Sequence, residues 1–220
     1  MIAEHAGDLR NARVLDDGCG IGTYVGHLGE VAAQSVGIDF ELERAQQAGQ
    51  RTGYRVACAA SEHLPFADRA FDVVLSNEVI EHVQDDRAAV AEMARVLRPG
   101  GRAIIFCPNR WYPVEQHGVY WRGHYHFGNI PLVNYLPDPL RNRLAPHVRT
   151  YTRGGLLRLL ENLPLEVVYE TRIFGGYDNL IARFGPAARL LRAGLHGAER
   201  TPARVLALSH LLVAERTQPV

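Results

Sequence analysis

The segment Val14–Gly22, with the sequence VLDDGCGIG, constrains the fold of this chain more than any other feature. An apolar run ends in acidic residues, a glycine-rich turn follows, and a helical pattern begins at Thr23. Glycines at a strand-to-helix turn let the backbone approach a ligand closely, and the N–H groups at the helix start favour a carboxylate. An acidic side chain at the strand end can receive an ammonium group. The turn therefore predicts a ligand that carries both groups.

A second motif is VGID, at Val36–Asp39. Asp39 lies 21 positions after Gly18, at the end of the next predicted strand. A carboxylate at this place can accept hydrogen bonds from both hydroxyls of a ribose. The same side chain could instead cap the helix that is predicted to begin at Glu41. Ribose binding and helix capping both stay open at this point.

Strands and helices alternate in the first half of the chain, which predicts a parallel sheet with right-handed crossovers. Phe71–Ser76 is a continuous apolar run, as expected of a buried parallel strand. Pro99-Gly100-Gly101 is predicted to stop the third helix and turn the chain. The predicted strands here are Arg13–Asp16, Ser35–Asp39, Tyr54–Ala57, Phe71–Ser76 and Arg102–Cys107, and the predicted helices are Thr23–Ala33, Glu41–Arg51 and Asp85–Leu97.

The pattern breaks after the fifth strand. Pro108–Arg149 shows no clean period and is too long for an ordinary loop, so we expect it to be functional. Regular patterns return as helices at Thr152–Asn162 and Pro186–Leu195 and as strands at Leu165–Ile173 and Ser209–Arg216. The length predicts a single domain over residues 1–220. The expected class is α/β, a Rossmann-like parallel sheet flanked by helices, with an antiparallel C-terminal edge strand and an insertion at 108–150.

Composition excludes several classes of function. The net charge is zero, with 24 basic and 24 acidic residues, so no nucleic-acid partner is expected. Every basic residue is Arg, which excludes a Schiff-base or phosphate-loop Lys. Three widely spaced cysteines fit a reduced, cytoplasmic protein, and no apolar run is long enough for an integral membrane span.

The two motifs together resemble those of class I S-adenosylmethionine-dependent methyltransferases. Ser61–Val83 (SEHLPFADRAFDVVLSNEVIEHV) is similar to the block that joins the third loop to the fourth strand of that family. Arg95–Asn109 (RVLRPGGRAIIFCPN) is similar to its helix, turn and fifth strand. The resemblance covers about Asn11–Asn109 well and Tyr151–Arg216 loosely. It is nearest to the broad branch that contains quinone-biosynthesis methyltransferases, and it implies S-adenosylmethionine as cofactor.

The resemblance also implies roles for individual residues. The glycine-rich turn would surround the methionine end of the cofactor, Asp39 would bind the ribose and Phe40 would lie along the adenine. Ser61 and Glu62 would sit near the adenine edge, and Asn77 would close the site from the end of the fourth strand. The cofactor-binding residues predicted in this way are Asp16, Gly18, Cys19, Gly20, Gly22, Asp39, Phe40, Ser61, Glu62 and Asn77.

The chain departs from the family pattern at three places. Ala60 stands where the family often has an Asp that accepts from the adenine amino group, and Asp17 stands where the family usually has an apolar residue. Ser61, Glu62 or a backbone carbonyl would then have to replace that acceptor. Only 13 residues precede Val14, which leaves little chain for the N-terminal lid that many relatives have.

His117 is our candidate general base, with Glu115 as the residue that orients it, because an imidazole accepts protons near neutral pH. The pair His124 and His126 fits one strand face, but no third ligand is evident, so no metal site is expected. Glu81-His82 could be helix-surface residues or take part in catalysis. The aromatic residues between 111 and 127 could form a substrate pocket, the core of a folded insertion, or both.

The predicted function is methyl transfer from S-adenosylmethionine to a small, partly apolar acceptor, with segment 108–150 as acceptor pocket and lid. Two alternatives stay open. One is a non-catalytic cofactor-binding protein with the same fold. The other is a nicotinamide-dependent oxidoreductase, which is disfavoured because the turn lacks the GxGxxG spacing and has Thr at position 23. A homodimer is possible, and the insertion could instead form its interface.

Overall fold

The computed structural model of the chain describes residues 2–217. None of the helices in this range is long and apolar enough to cross a membrane. The strands are β1 Arg13–Asp17, β2 Gln34–Asp39, β3 Arg55–Cys58, β4 Phe71–Asn77, β5 Leu97–Pro108, β6 Val114–Glu115, β7 Val119–Trp121, β8 His124–His126, β9 Ile130–Pro131, β10 Leu165–Ile173 and β11 Ser209–Arg216. The α-helices are α1 Ile2–Ala6, α2 Thr23–Gly29, α3 Leu42–Thr52, α4 Asp86–Val96, α5 Asp138–Leu144, α6 Arg153–Arg158, α7 Asp178–Phe184 and α8 Pro186–Ala198.

The chain forms two compact units. Unit one consists of the chain up to Phe106, the segment Gly154–Glu170 and the chain from Leu212 onward. Unit two consists of Cys107–Arg153 and Thr171–Leu211, so it includes the predicted insertion. A single domain over the whole chain stays a prediction.

A seven-stranded sheet has the order β10-β11-β5-β4-β1-β2-β3. The pairs β1–β2, β1–β4, β2–β3 and β4–β5 are all parallel. The final strand pair lies at one edge, with β10 outermost and β11 beside β5. The predicted class is confirmed: a mostly parallel sheet flanked by helices, with an antiparallel strand at the edge.

The register of the central strands brings the functional segments to one edge of the sheet. Asp16 on β1 is level with Gly37 on β2 and with Leu75 on β4. Because parallel strands end at the same edge, the residues that follow β1, β2, β3 and β4 converge there. The centre of the sheet is apolar, and Leu15 and Val74 are both fully buried.

Several predicted boundaries differ from the observed ones. The helix predicted over Thr152–Asn162, for example, is α6, Arg153–Arg158. Helix α2 ends at Gly29 instead of Ala33. Residue 29 has no room for a side chain, because the ring of Tyr54 lies where its Cβ would be. Strand β5 begins at Leu97, so Pro99-Gly100-Gly101 lies within a strand. The Pro and two Gly residues were predicted to form a turn. In the structure they form a β-bulge instead, where the register of β5 against β4 shifts between the pairs of Phe71 and Val73.

Unit two contains two small antiparallel sheets within the segment that showed no period. Strand β6 pairs with β9, and β7 pairs with β8. The hairpin between β7 and β8 turns at Arg122 and Gly123, which have φ angles of 50° and 81°. Positive φ at both turn residues matches the twist of the flanking strands. The strands are only two or three residues long, which explains why no alternation was evident in the sequence.

Candidate functional site

A cleft of about 790 Å³ lies in unit one at the carboxyl ends of the parallel strands. Four segments line it, one after each of β1, β2, β3 and β4. The lining includes Gly18 and Gly20 from the first, Asp39, Phe40, Glu41 and Arg44 from the second, Ala59–His63 from the third, and Glu78, Val79, His82 and Val83 from the fourth. A crevice at this edge is where open α/β sheets bind ligands.

The three glycines of the turn have different structural reasons for lacking a side chain. All of them have positive φ, between 55° and 87°. A Cβ on Gly18 would lie 2.3 Å from Cγ2 of Val79, and one on Gly22 would lie 2.8 Å from Cγ2 of Thr52. A Cβ on Gly20 would meet nothing within 4 Å. Gly20 therefore lines the cleft with bare backbone, and a ligand can come close to it there.

Asp39 connects the glycine turn to the start of the next helix. Its Oδ2 accepts a 2.8 Å hydrogen bond from the Gly20 N–H, and its Oδ1 accepts a 2.9 Å bond from the Glu41 N–H. The N-cap residue of α3 is Glu41, so Asp39 is not the helix cap that was considered; its role is to hold the backbone of Glu41, two residues further on. Each carboxylate oxygen has a second lone pair, so this role leaves acceptor capacity on the cleft side.

Two buried carboxyl groups end β1. Asp16 is 1% exposed and Asp17 is 0% exposed. Burial raises the pKa of each to about 7, because the charged form loses its hydration. The charge of Asp39 adds to both effects, while a hydrogen bond from the Val25 N–H opposes the shift of Asp16. Within residues 2–217, Oδ2 of Asp16 and Oδ2 of Asp17 have no hydrogen-bond partner.

The loop after β3 forms one wall of the cleft. The Ser61 hydroxyl donates a 2.6 Å hydrogen bond to Oδ1 of Asp17. Oε1 of Glu62 accepts bonds from the N–H groups of Gln84 and Asp85, at 2.7 and 3.2 Å. This wall is therefore tied both to β1 and to the segment before α4. Ala60 also lines the cleft, and its methyl group offers no acceptor.

The segment after β4 forms the opposite wall. Asn77, which was expected to close the site, pairs in register with Phe106, and the residues of this segment that line the cleft begin at Glu78. Glu78 has a φ of 57°, unusual for a residue with a side chain. Burial raises the pKa of Glu81 well above its usual value, and the charge of Glu78 adds to this effect. Oε1 of Glu81 lies 3.9 Å from Nε2 of His82.

Six of the ten predicted cofactor residues line the cleft, namely Gly18, Gly20, Asp39, Phe40, Ser61 and Glu62. Asp16, Cys19, Gly22 and Asn77 belong to the same strands and turn but are not part of the lining. Cys19 packs with Val25 and Ala48, and burial raises the pKa of its thiol to about 12, so it is a core residue.

The lining residues Glu78, Val79 and His82 were not predicted as cofactor-binding. These residues belong to the motif NEVIEH. They were not assigned to the cofactor site because Glu81 and His82 could also have been residues on a helix surface.

Unit two contains a charged cluster around the candidate base. Nδ1 of His117 lies 3.0 Å from Oε1 of Glu115, and Oε2 of the same carboxylate lies 2.8 Å from a guanidinium nitrogen of Arg141. Both Glu115 and Arg141 are 1% exposed. Burial alone would raise the pKa of Glu115, but hydrogen bonds from His117 and the charge of Arg141 outweigh it and lower the pKa below its usual value. The carboxylate is therefore held ionised beside the imidazole.

The remaining predicted residues of unit two are at its surface. His124 and His126 are both exposed on β8. Several of the aromatic rings are exposed as well: Trp111, Tyr120, Trp121, Tyr125 and Phe127. Packing accounts for part of this set, because the rings of Tyr120 and Tyr125 contact each other and that of His147, with centroids 5.2–5.7 Å apart. The ring of Phe127 is 81% exposed.

The fold of the chain is that of a known class of proteins. The chain has the fold of S-adenosylmethionine-dependent methyltransferases: a solved enzyme of this type from Mesorhizobium loti superposes with a TM-score of 0.67 at 20% identity, over 97% of this chain and 94% of that one. Residues 15–105 match the family described as Methyltransferase domain. The matched segment contains the glycine turn, Asp39 and the whole lining of the cleft. The family and fold imply S-adenosylmethionine as cofactor.

Curated relatives match about half of the chain or less. A demethylmenaquinone methyltransferase of Corynebacterium urealyticum is 39% identical over 93 residues, which are 42% of this chain and 40% of that protein. A ubiquinone biosynthesis O-methyltransferase of Cronobacter sakazakii is 34% identical over 116 residues, 50% of this chain and 47% of that protein. The chain thus spans less than half the length of these relatives. Unit two lies outside residues 15–105, which the family model matches.

Proposed function

We propose that this protein binds S-adenosylmethionine in the cleft of unit one and transfers its methyl group to a small, partly apolar acceptor. One observation supports this most: the Gly20 N–H and the Asp39 carboxylate, from the two motifs read in the sequence, are joined by a 2.8 Å hydrogen bond at one cleft. The family match of residues 15–105 and the quinone-biosynthesis relatives agree with it.

The residues of the cleft fit this cofactor. Gly20 presents unshielded backbone, as the close approach of a carboxylate requires. Asp39 has lone pairs for ribose hydroxyls, and Phe40 is an exposed ring beside it on which an adenine can stack. Ser61 and Glu62 are the polar side chains of the wall where the adenine edge would lie. With Ala60 in that wall, we assign acceptance of the adenine amino group to the loop backbone or to Glu62.

When bound, the cofactor supplies a methyl group that is already activated by a sulfonium. The protein then has to hold the acceptor in line with that methyl group and to exclude water. We assign these tasks to segment 108–150, where the exposed rings of Trp121 and Phe127 can cover an apolar acceptor. Arg122 and His124 are the polar residues next to Trp121 that can bind an acceptor head group.

An oxygen acceptor would also have to lose a proton. We assign that step to His117, because the ionised Glu115 beside its Nδ1 stabilises the imidazolium that forms. Arg141 acts as a positioning residue, since its buried bond to Glu115 fixes the carboxylate. Cys19, Cys58 and Cys107 form no disulfide within residues 2–217, which supports a reducing, cytoplasmic location.

Incubation of the protein with S-adenosylmethionine labelled in the methyl group, together with lipid and polar extracts, tests the proposal. We expect a labelled product that partitions into an organic phase. Label only in polar products would overturn the apolar acceptor, and calorimetry that detects no binding of S-adenosylhomocysteine would overturn the cofactor site itself. Binding without transfer to any extract would favour the alternative, a cofactor-binding protein without methyltransferase activity.

A further inference from the structure

Unit two has an apolar surface that the proposed function does not use. We call it the α7–α8 surface; it comprises α7, α8 and the short 3-10 helix Pro202–Leu206. Leu190 is 77% exposed, far more than a leucine that packs in a core. The large apolar side chains exposed on this surface are Leu180, Phe184, Leu190, Leu191, Val205 and Leu206.

The exposed apolar residues of α8 lie on one face of the helix. Positions Ala187, Leu190, Leu191 and Gly194 follow the i, i+3, i+4, i+7 spacing and form one stripe along the helix. All four are exposed, whereas Ala188 on a neighbouring face is buried. The helix therefore turns Leu190 and Leu191 to the outside, and residues 2–217 provide no cover for these two side chains.

Helix α7 repeats this arrangement with a charge beside it. Leu180 and Phe184 are one turn apart and both exposed. The guanidinium carbon of Arg183 lies 5.2 Å from the centre of the Phe184 ring. Apolar side chains and a cation thus share the same stretch of surface, as in helices that lie at a membrane interface.

The charge of the surface is positive. Residues 178–206 contain five arginines and two carboxylates. Both carboxylates have partners within unit two: Asp178 lies 3.8 Å from Arg192, and Glu199 accepts a 2.8 Å hydrogen bond from the Phe174 N–H. Arg189, Arg200 and Arg204 are exposed. An occupant of this surface must therefore offer apolar groups and negative charge together.

We propose that the α7–α8 surface docks on an anionic lipid membrane, with its leucines and Phe184 among the acyl chains and its arginines at the lipid phosphates. Acidic lipids attract basic residues that lie near the membrane surface. A second copy of the chain fits less well, because a twofold interface brings the same basic patch onto itself. The inference does not rest on the proposed function, since membrane binding needs neither cofactor nor turnover.

Co-sedimentation of the full chain with vesicles tests the inference. We expect several-fold more protein bound to phosphatidylcholine vesicles that contain about 30% phosphatidylserine than to phosphatidylcholine alone, and release in high salt. The double variant Leu190→Glu/Leu191→Glu should lose this binding. Leu140→Glu is the matched control, because Leu140 is also exposed, at 54%, but lies on α5.

A second variant covers the charge. Arg183→Gln/Arg189→Gln should keep the apolar side chains and still lower binding to the acidic vesicles several-fold. Equal binding to both kinds of vesicle, or binding that none of the α7–α8 variants changes, would overturn the proposal. A chain that is oligomeric in gel filtration and becomes monomeric in Leu190→Glu/Leu191→Glu would assign the surface to a second copy instead, which also overturns it.

Discussion

The hydroxyl of Ser61 donates a 2.6 Å hydrogen bond to Oδ1 of Asp17, and both residues are buried beneath the wall of the cofactor cleft. The pair joins the end of β1 to the loop after β3, across 44 positions of sequence. Within residues 2–217, the Ser61 hydroxyl is the one side-chain donor to the Asp17 carboxyl group. Its other oxygen, Oδ2, has no hydrogen-bond partner there. A polar pair thus stands at a place where an apolar residue was expected, and it makes the stability of the cleft depend on pH.

Asp17→Asn should flatten the pH dependence of stability. The pKa of Asp17 rises from 3.8 to about 7 on folding, so the folded chain holds more protons than the unfolded chain between these values. The free energy of unfolding therefore falls as the pH rises through this window, by at most about 4 kcal/mol from this group, and the loss persists above it. Urea unfolding of Asp17→Asn from pH 4 to 8 should show a smaller fall and a more stable protein at pH 8. Glu43→Gln, at an exposed position, serves as control, and a slope like that of the parent chain would remove Asp17 as the cause.

Asp39→Asn should weaken the binding of S-adenosylhomocysteine. The change removes the charge that strengthens bonds to ribose hydroxyls, and charge-assisted hydrogen bonds contribute about 1.5–3 kcal/mol, so we expect a loss of about 10- to 100-fold in affinity. Titration calorimetry measures it, and the melting temperature checks that the bonds to Gly20 and Glu41 have not been lost with the fold. Glu41→Gln, on the cleft rim, should change the affinity little. Parent-like affinity in a folded Asp39→Asn protein would reject the ribose assignment.

Gly20→Ala and Gly53→Ala form a matched pair. Both glycines have positive φ, 55° and 71°, and a Cβ on either would meet nothing within 4 Å. Each substitution should cost about 1–2 kcal/mol of stability through backbone strain alone. Only Gly20 lines the cleft, so only Gly20→Ala should also lower the affinity for S-adenosylhomocysteine. Equal affinities in the two variants would mean that no ligand approaches the backbone at Gly20.

Arg141→Met should destabilise the protein by about 3–5 kcal/mol, because it leaves the carboxylate of Glu115 buried without its counter-ion. The double variant Glu115→Leu/Arg141→Met should recover most of this loss, since an apolar pair can replace a buried ion pair. Urea unfolding curves measure both, with Arg10→Met in an exposed ion pair as a control that should change little. If the double variant is as unstable as the single one, the loss of stability comes from the packing around Arg141 and not from the uncompensated charge of Glu115.

His117→Gln and Trp121→Ala should separate turnover from cofactor binding once an acceptor is known. For an oxygen acceptor, removal of the base should lower kcat by about 10²- to 10⁴-fold. Trp121→Ala should mainly raise KM, because it removes apolar surface from the acceptor site. Neither should change the affinity for S-adenosylhomocysteine, and His27→Gln in α2 is the matched control. Unchanged kcat and KM in both variants would contradict the assignment of unit two to the acceptor.

The parts of this fold that the sequence predicts are those with local signals. The glycine turn, the apolar run at β4 and the strands β10 and β11 depend on patterns within a few residues, and the bounds of β10 and β11 agree to the residue. Asp39 could be placed because its strand and its turn are adjacent in sequence.

The parts that could not be predicted depend on distant partners. Nothing near Asp17 indicates Ser61, and nothing near Glu115 indicates Arg141, 26 positions later. Helix α7 was missed because its seven residues contain too few turns for a period to appear. The sequence did suggest Glu115 as the neighbour of His117, because the two lie only two residues apart.

The place of β11 in the sheet has a consequence for the order in which the protein is built. Strand β10 is made first, but its neighbour in the sheet is β11, and β11 is also what joins it to β5. As the chain leaves the ribosome, β10 must wait for residues 209–216 before it has a partner, with an unsatisfied strand edge in the meantime. Newly made chains are therefore most vulnerable to aggregation during that interval. A chain that is truncated within α8 would lack β11, so β10 would have no partner in the sheet.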